Sequence, residues 1–117
     1  MIATEIKVQN NINNTNTLLS SKVTKEYDDY KANLLKLSID EIISESGKIY
    51  FYECITNYFT NGDIEIEKDV VFILLNSERN IISCLYYNVY LKYDNVSYLN
   101  HEDIDYMLSI AIDENYF

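Results

Sequence analysis

A regular spacing of apolar positions in the first third of the chain indicates an amphipathic helix. Between residues 17 and 37, apolar side chains recur at steps of four and three, with charged side chains between them: Val23, Tyr27, Tyr30, Leu34 and Leu37. This period places them on one face of an α-helix. The pattern covers only about two heptads, which is too short for a coiled coil, so it predicts a helix of a bundle.

A second helix is predicted to begin at the sequence SIDE, residues 38–41. Ser38 can accept a hydrogen bond from a first-turn N–H, and Glu41 can reach back to Ser38 in a capping box. The residues that follow are apolar on two faces, which is typical of a central helix, and Gly47 would allow a neighbouring backbone to approach closely. Gly62, in the sequence TNGD, is the expected helix stop.

Two segments predicted as helices also have features of a strand. Residues 64–75 contain the apolar run VVFILL, but DIEIEKD at 63–69 alternates as a strand does, and the preceding Asn-Gly suits a hairpin. Residues 80–93 form a coherent apolar face as a helix, and their Tyr, Val and Ile content suits a sheet. Periodicity leaves two folds open: an all-α bundle of four to five helices, and an α+β fold with a three-stranded antiparallel meander at 48–93 flanked by helices.

The last segment, residues 100–114, has a clear helical signature. Asn100 can cap the helix, and acids in the first turn suit its positive end. An apolar stripe at helical spacing is predicted to be buried: Ile104, Met107, Leu108 and Ala111. The outer face is left with polar and amphipathic residues: Glu102, Asp105, Tyr106 and Asp113.

Three stretches carry a family resemblance by their order and spacing. They are YDDYKANLLKLSIDEII at 27–43, YFYECITNYF at 50–59 and HEDIDYMLSIAIDE at 101–114. Together they resemble uncharacterised small all-helical proteins of conjugative elements and prophages of low-GC Gram-positive bacteria, although the prolines expected near 38–40 are absent here. The resemblance implies an all-α fold and a mobile-element setting, but no activity. It favours helix for 80–93, and an all-α bundle is the predicted fold.

Length and composition indicate one domain. With 117 residues, almost half of them apolar, the chain can bury a core of its own. Residues 1–16, rich in Asn and Thr, are predicted to be a flexible N-terminal arm, and residues 17–117 a single helical domain. The sequence opens without a basic segment followed by a continuous apolar run, and VVFILL is too short for a membrane span, so we expect a cytoplasmic protein.

The charge of the chain restricts its partners. Nineteen carboxylates against nine Lys and Arg side chains give −10, and no Lys or Arg follows Lys92. Binding nucleic acid directly needs Lys and Arg to displace counterions from phosphates, and anionic membranes attract the same residues, so neither partner is expected. A basic protein surface is the expected partner, and its attraction would be long-ranged and weakened by salt.

The sequence offers little that points to catalysis or to a cofactor. His101 is the only histidine, and it falls in the first turn of the last helix. Cys54 and Cys84 have no basic neighbour in sequence to activate a thiolate, and both are predicted to be buried structural thiols. DIEIEKD has the alternating acids of a calcium loop without its central glycine. We therefore expect no enzyme, no cofactor and no metal site.

Tyrosines and acids together suggest the surface that would contact the partner. The chain has 12 tyrosines, too many for all of them to be core residues. Tyrosine is enriched at interfaces because its ring buries area while its hydroxyl stays solvated, and carboxylates pair with Lys and Arg. The predicted partner-binding residues are those expected outside in the acidic part of the chain: Tyr87, Asp94, Tyr98, Glu102, Asp105, Tyr106, Asp113 and Glu114.

Three functions fit these expectations. The first is a phage or mobile-element inhibitor that blocks the basic nucleic-acid-binding site of a host defence nuclease or CRISPR effector, as an anti-CRISPR protein and DNA mimic. The second is an immunity protein that neutralises a cognate toxin by the same electrostatic complementarity. The third is a homodimeric scaffold joined along one helix seam: Val23, Tyr27, Tyr30, Leu34 and Leu37.

Overall fold

The computed structural model describes the backbone of residues 2–92 and 99–117, and the side chains of residues 16–92 and 99–117. Within these residues, six α-helices follow one another: α1 Ile2–Leu34, α2 Ile39–Ser44, α3 Ser46–Thr60, α4 Lys68–Asn76, α5 Ile81–Asn88 and α6 His101–Asp113. A single 3₁₀ turn, Tyr90–Lys92, follows α5. The predicted all-α fold is confirmed. The described residues contain no strand, so the alternative with a meander at 48–93 is wrong.

The helix count exceeds four to five because the segment after Ser38 divides in two. The capping box is present: the Ser38 Oγ accepts from the Glu41 N–H (3.2 Å), and the Glu41 carboxylate accepts from the Ser38 N–H (3.3 Å). However, α2 buries no residue and ends at Ser44, and α3 begins at Ser46. A Cβ added to Gly47 would meet no atom of the described residues within 4 Å, so its predicted role in close packing is wrong.

The core joins α3 to α1, α5 and α6, and α4 packs on α1. α1 also packs on α5. Fully buried side chains from five helices form one cluster: Leu19, Val23, Phe51, Ile55, Leu74, Ile82, Leu85 and Ile104. Burying one apolar side chain of this size contributes about 1.5–3 kcal/mol. This cluster fixes α6 against α3 and α5, which positions the acidic end of the chain.

The connection between α3 and α4 explains the strand-like alternation in the sequence. Residues 61–67 are irregular, and α4 begins only at Lys68. The isoleucines of this connection, Ile64 and Ile66, are half-buried against the core. Its acids are exposed: Asp63, Glu65 and Glu67. The alternation arises because one side of the connection packs on the core, without a partner strand among the described residues.

Two side chains of α1 cap neighbouring helices. The Glu26 Oε1 accepts from the Ile82 N–H at the start of α5 (2.9 Å), and the Lys22 ammonium donates to the carbonyls of Leu74 and Ser77 (2.7 and 2.8 Å) at the end of α4. Both charges complement a helix dipole. Glu26 is nevertheless buried, its Oε2 has no partner among the described residues, and burial raises the pKa of its carboxyl.

α1 begins earlier than the sequence pattern indicates. The spacing predicts a helix from about residue 17 to residue 37, whereas α1 is Ile2–Leu34. Residues 2–16 are therefore helical along the backbone, and their assignment to a flexible arm, apart from a 17–117 domain, stays a prediction. None of the described helices combines the length and the apolar content that crossing a membrane requires.

Candidate protein-binding face

The acidic end of the chain is carried by α6, which the core holds on one side. Asn100 and Asp103 form a capping box: the Asn100 Oδ1 accepts from the Asp103 N–H (2.9 Å), and the Asp103 carboxylate accepts from the Asn100 N–H (3.0 Å). The predicted inner stripe is buried: Ile104, Met107, Leu108 and Ala111. Because residues three and four apart share a helix face, this burial turns the intervening acids outward.

The outward side of α6 forms what we call the α6 acidic face. Its members are all exposed: Glu102, Asp105, Tyr106, Asp113 and Glu114. Glu102 and Asp113 lie about 16 Å apart along the helix, at about 1.5 Å per residue. Two further predicted residues, Asp94 and Tyr98, lie outside the described residues. The structure thus brings most of the predicted partner-binding residues onto one surface.

The acids of this face have no cationic partner in the part of the chain that the structure describes. Both ion pairs there lie within α1, between Lys25 and Asp29 (3.1 Å) and between Lys31 and Asp28 (3.5 Å). All four of those side chains are exposed. The ion pairs among the described residues therefore lie away from α6, and neither of them involves a carboxylate of the α6 acidic face.

The two basic residues that flank α5 are directed to Tyr116. The Arg79 Nη1 donates to the Tyr116 carbonyl (3.0 Å). The Lys92 ammonium donates to the Tyr116 hydroxyl (3.4 Å) and lies 5.4 Å from the centre of its ring. These contacts hold the residues that follow α6 against the bundle, and they do not involve the carboxylates of the α6 acidic face.

One acid of the face is tied to the core. The hydroxyl of Tyr58, which is 2% exposed, donates a hydrogen bond to the Asp105 Oδ1. Burial and this hydrogen bond raise the pKa of the Tyr58 phenol, so it remains a donor at neutral pH. The His101 ring packs edge-on against the Tyr58 ring, with centroids 5.9 Å apart. Asp105 therefore positions α6 on α3 as well as contributing negative charge.

The far end of the face adds to a helix dipole of the same sign. Asp113 is the last residue of α6, Glu114 is its C-cap, and the last turn has no basic residue. A helix C-terminus carries roughly half a negative charge, and a cation there stabilises a helix by about 0.3–1 kcal/mol. Two acids in this position are repelled instead, and their charges add to that of the dipole at this end of α6.

The structure places Tyr87 in a different cluster from the acids of α6. Tyr87 lies on α5, is 52% exposed, and its hydroxyl accepts a hydrogen bond from the Lys48 ammonium on α3. The same ammonium lies 4.6 Å from the Tyr87 ring centroid, 5.3 Å from that of Tyr30 and 5.5 Å from that of Tyr86. Cation–π attraction to several rings holds the ammonium in place.

Sequence reasoning missed this cluster around Lys48. Tyr30 stacks on Tyr52 with ring centroids 4.0 Å apart, and the Tyr30 hydroxyl donates to the Glu45 Oε2 (2.6 Å). Burial raises the pKa of Tyr52 to about 12. The members come from α1, α3 and α5 and from the α2–α3 junction, so no spacing along the chain signals that they meet. The cluster binds these helices together.

The seam considered for a homodimer is largely used within the chain. Val23 is fully buried, and the rings of Tyr27 and Tyr30 stack on Tyr52 of α3, with centroids 6.3 and 4.0 Å away. The remaining members are half-buried: Leu34 and Leu37. A second copy could therefore reach only the end of this seam without opening the fold, and the homodimer stays a prediction.

The residues considered for chemistry form no shared site on the described surface. His101 is exposed, Cys54 is half-buried, and the buried Cys84 donates from its Sγ to the Tyr116 carbonyl (3.3 Å). Among the residues described, no group of three or more His, Cys, Asp or Glu side chains lies close enough to hold a metal ion. The residues of the α6 acidic face, in contrast, lie together on one exposed surface.

Comparison with known proteins adds no relative. No protein-family model, no curated protein and no solved structure matches this chain. The resemblance to mobile-element proteins stays a prediction, and only geometry and charge bear on the role of the α6 acidic face.

Proposed function

We propose that this chain is a non-enzymatic inhibitor, of phage or mobile-element origin, that binds a basic nucleic-acid-binding surface of a host protein through the α6 acidic face. A defence nuclease or CRISPR effector is the expected target, because such proteins hold nucleic acid in positively charged channels. Carboxylates placed in such a channel compete with phosphates for the same Lys and Arg side chains. The mobile-element origin comes from the sequence resemblance alone.

The observation that carries this proposal is the presence of Asp113 and Glu114 at the end of α6. Stability alone would favour Lys or Arg there, since a cation complements the helix C-terminus by about 0.3–1 kcal/mol. This chain has two exposed acids instead, without a cationic partner among the described residues. Residues that lower the stability of a helix, without a compensating contact among the described residues, are typical of a functional surface.

The contacts that hold α6 in place suit this helix to binding a partner. Its capping box and its buried inner stripe fix the helix before any partner arrives. A pre-organised surface loses little conformational entropy on association. Exposed carboxylates also attract a basic surface over about 8 Å, the Debye length at physiological ionic strength, which accelerates encounter. The resulting complex would form quickly and weaken with added salt.

Affinity purification tests the proposal directly. The tagged chain is incubated at low salt with lysate of a low-GC Gram-positive host, and the captured proteins are identified by mass spectrometry. We expect a nucleic-acid-binding protein that is released by high salt and displaced by excess of its own nucleic acid, since both ligands occupy one channel. Recovery of no such protein at low salt, or capture that nucleic acid leaves unchanged, contradicts the proposal.

Charge reversal at the end of α6 gives a matched pair of variants. The variant Asp113→Lys/Glu114→Lys removes the acids from a position where Lys complements the dipole, so the fold should be preserved or stabilised while binding is lost. Glu53→Lys/Glu78→Lys changes the net charge equally, at exposed positions outside α6, and should still bind. Asp105 is unsuited to this test because the Tyr58 hydroxyl donates to it.

A further inference from the structure

A groove opens beside the C-terminal end of α3. It lies between residues 16–20 of α1 and residues 59–66, and its volume is about 260 Å³. Sites for drug-sized ligands typically measure about 300–1,000 Å³, so this groove is closer in size to a single long side chain than to a whole cofactor.

The floor of the groove is apolar. Leu19 and Phe59 are core residues, 1% and 6% exposed, and they form the inner part of the lining. Ile64 and Ile66, half-buried members of the α3–α4 connection, close the floor from the other side. An aliphatic stem would bury surface here, and long cationic side chains are known for burying their stems while their heads stay polar.

The walls of the groove carry oxygen acceptors and no charge. α1 contributes Asn16 and Ser20, and the end of α3 contributes Thr60, whose hydroxyl donates to the Thr56 carbonyl (2.8 Å), and Asn61, whose Oδ1 also accepts from the Asp63 N–H (3.0 Å). Amide and hydroxyl oxygens accept hydrogen bonds from N–H donors. The last turn of α3 contains no basic residue, so the partial negative charge of this helix C-terminus is not offset within that turn. Both features favour a ligand that is cationic and rich in donors.

The rim of the groove is acidic for a structural reason. Because Ile64 and Ile66 line the groove, the residues that alternate with them lie beside its lining and are exposed: Asp63, Glu65 and Glu67. None of the lining residues is Lys or Arg. The apolar floor, the neutral acceptors and the acidic rim together complement a long side chain with a positive end.

The groove lies close to the α6 acidic face. The Phe59 ring on its floor meets the Tyr58 ring edge-on, with centroids 5.0 Å apart, and the Tyr58 hydroxyl donates to Asp105 on α6. One pair of aromatic rings therefore separates the two surfaces. A single basic protein could contact both.

We propose that this groove binds one arginine side chain from an extended basic segment of the partner protein. Its stem would pack on the apolar floor, and its guanidinium would donate to the wall oxygens beneath the acidic rim. Arginine fits better than lysine because its planar group carries five N–H donors and is more weakly hydrated. This inference rests on the proposed function for the identity of the partner, but binding to the groove can be measured without that partner.

The test is an NMR titration of the ¹⁵N-labelled chain with N-acetyl-L-arginine amide, with N-acetyl-citrulline amide as the uncharged control of the same shape. We expect saturable shifts, in the millimolar range, confined to amide signals of residues 16–20 and 59–66, and no saturation with citrulline. Equal effects of the two compounds, or arginine shifts spread over all acidic segments including α6, overturn the inference.

Two groove variants and one control variant sharpen this test. Ser20→Arg places a guanidinium in the groove from within the chain and should weaken binding of the arginine amide by about tenfold or more. Ser21→Arg, at the exposed neighbouring position, should leave it unchanged. Neutralising the rim with Glu65→Gln/Glu67→Gln should weaken binding by about threefold, as for exposed charge pairs. Unchanged binding in both groove variants overturns the inference, whether or not one of them is less stable.

The two proposals fail in distinguishable ways. If a nucleic-acid-binding target is captured through α6 while the arginine amide does not shift the groove signals, only the groove inference fails. If the arginine amide binds the groove and no basic target is captured, the groove remains an arginine site and the proposed function fails.

Discussion

The contact that ties the α6 acidic face to the core is open to a precise perturbation. Tyr58→Phe keeps the ring that packs against Phe59 and His101 and removes only the hydroxyl that donates to Asp105. The variant leaves the carboxylate in place, so neither the net charge nor the exposed surface of α6 changes. Any loss of stability therefore reports on this hydrogen bond.

The expected loss follows from the surroundings of the two groups. Hydrogen bonds to charged groups contribute about 1.5–3 kcal/mol. Asp105 is exposed and regains water when the donor is lost, so the lower end of this range, about 1.5 kcal/mol, is expected. For a domain of this size, that loss corresponds to a fall in Tm of about 6 °C.

The assay is urea unfolding of a double-mutant cycle. Wild type, Tyr58→Phe, Asp105→Ala and the double variant are compared, and a coupling energy of about 1 kcal/mol or more is expected between the two positions. Tyr27→Phe is the matched control, because it also removes a hydroxyl from a ring that packs on the core, and it should change stability by no more than about 0.5 kcal/mol. Additive losses, with no coupling, would refute the structural role assigned to Asp105.

Three further predictions concern the helices that support the site. Burial raises the pKa of the Glu26 carboxyl, so the contribution of this group to stability is present below the usual pKa of 4.5 and is lost as pH rises. In urea unfolding, the stability of wild type relative to Glu26→Gln should therefore fall from pH 5 to pH 8. A difference that stays constant over this range contradicts the prediction. Asn100→Ala should lower the free energy of unfolding by about 1 kcal/mol, and Ser38→Ala should lower it clearly less, because α6 has a buried stripe and α2 has none. Equal losses for the two variants in the same assay would count against this. Ile55→Ala, in the middle of the core, should cost about 2–5 kcal/mol by thermal unfolding, and a loss below about 1 kcal/mol would place Ile55 outside the core.

Local signals were sufficient for α6. Its N-cap, its first-turn acids and its apolar stripe all lie within the segment itself, so spacing alone predicts both the buried side and the exposed Glu102, Asp105 and Asp113. The capping box at Ser38 was equally predictable for the same reason. Its helix is nevertheless short, because Ile39 and Ile43 find no core to pack against and remain 76% and 63% exposed.

Structure that depends on residues distant in sequence is not predictable from local patterns. The alternation of residues 63–67 indicates that one side is buried, but a strand and an irregular connection share that pattern, and only the absence of a neighbouring strand in the described chain separates them. Nothing in the sequence around Tyr87 indicates that it contacts Lys48, which is 39 residues away. Its position in the sequence predicts that it lies beside the acids of α6, whereas helix packing places it against Lys48 of α3.

The proposed contact between the end of α6 and a basic partner can be measured directly. It is tested most directly by the affinity of the captured target for wild type and for Asp113→Lys/Glu114→Lys, side by side, at about 0.15 M and about 1 M salt. Wild type should bind tightly only at the lower salt, the α6 variant should bind weakly at both while remaining folded, and Glu53→Lys/Glu78→Lys should behave like wild type. An α6 variant that binds as tightly as wild type at the lower salt would contradict the proposed contact.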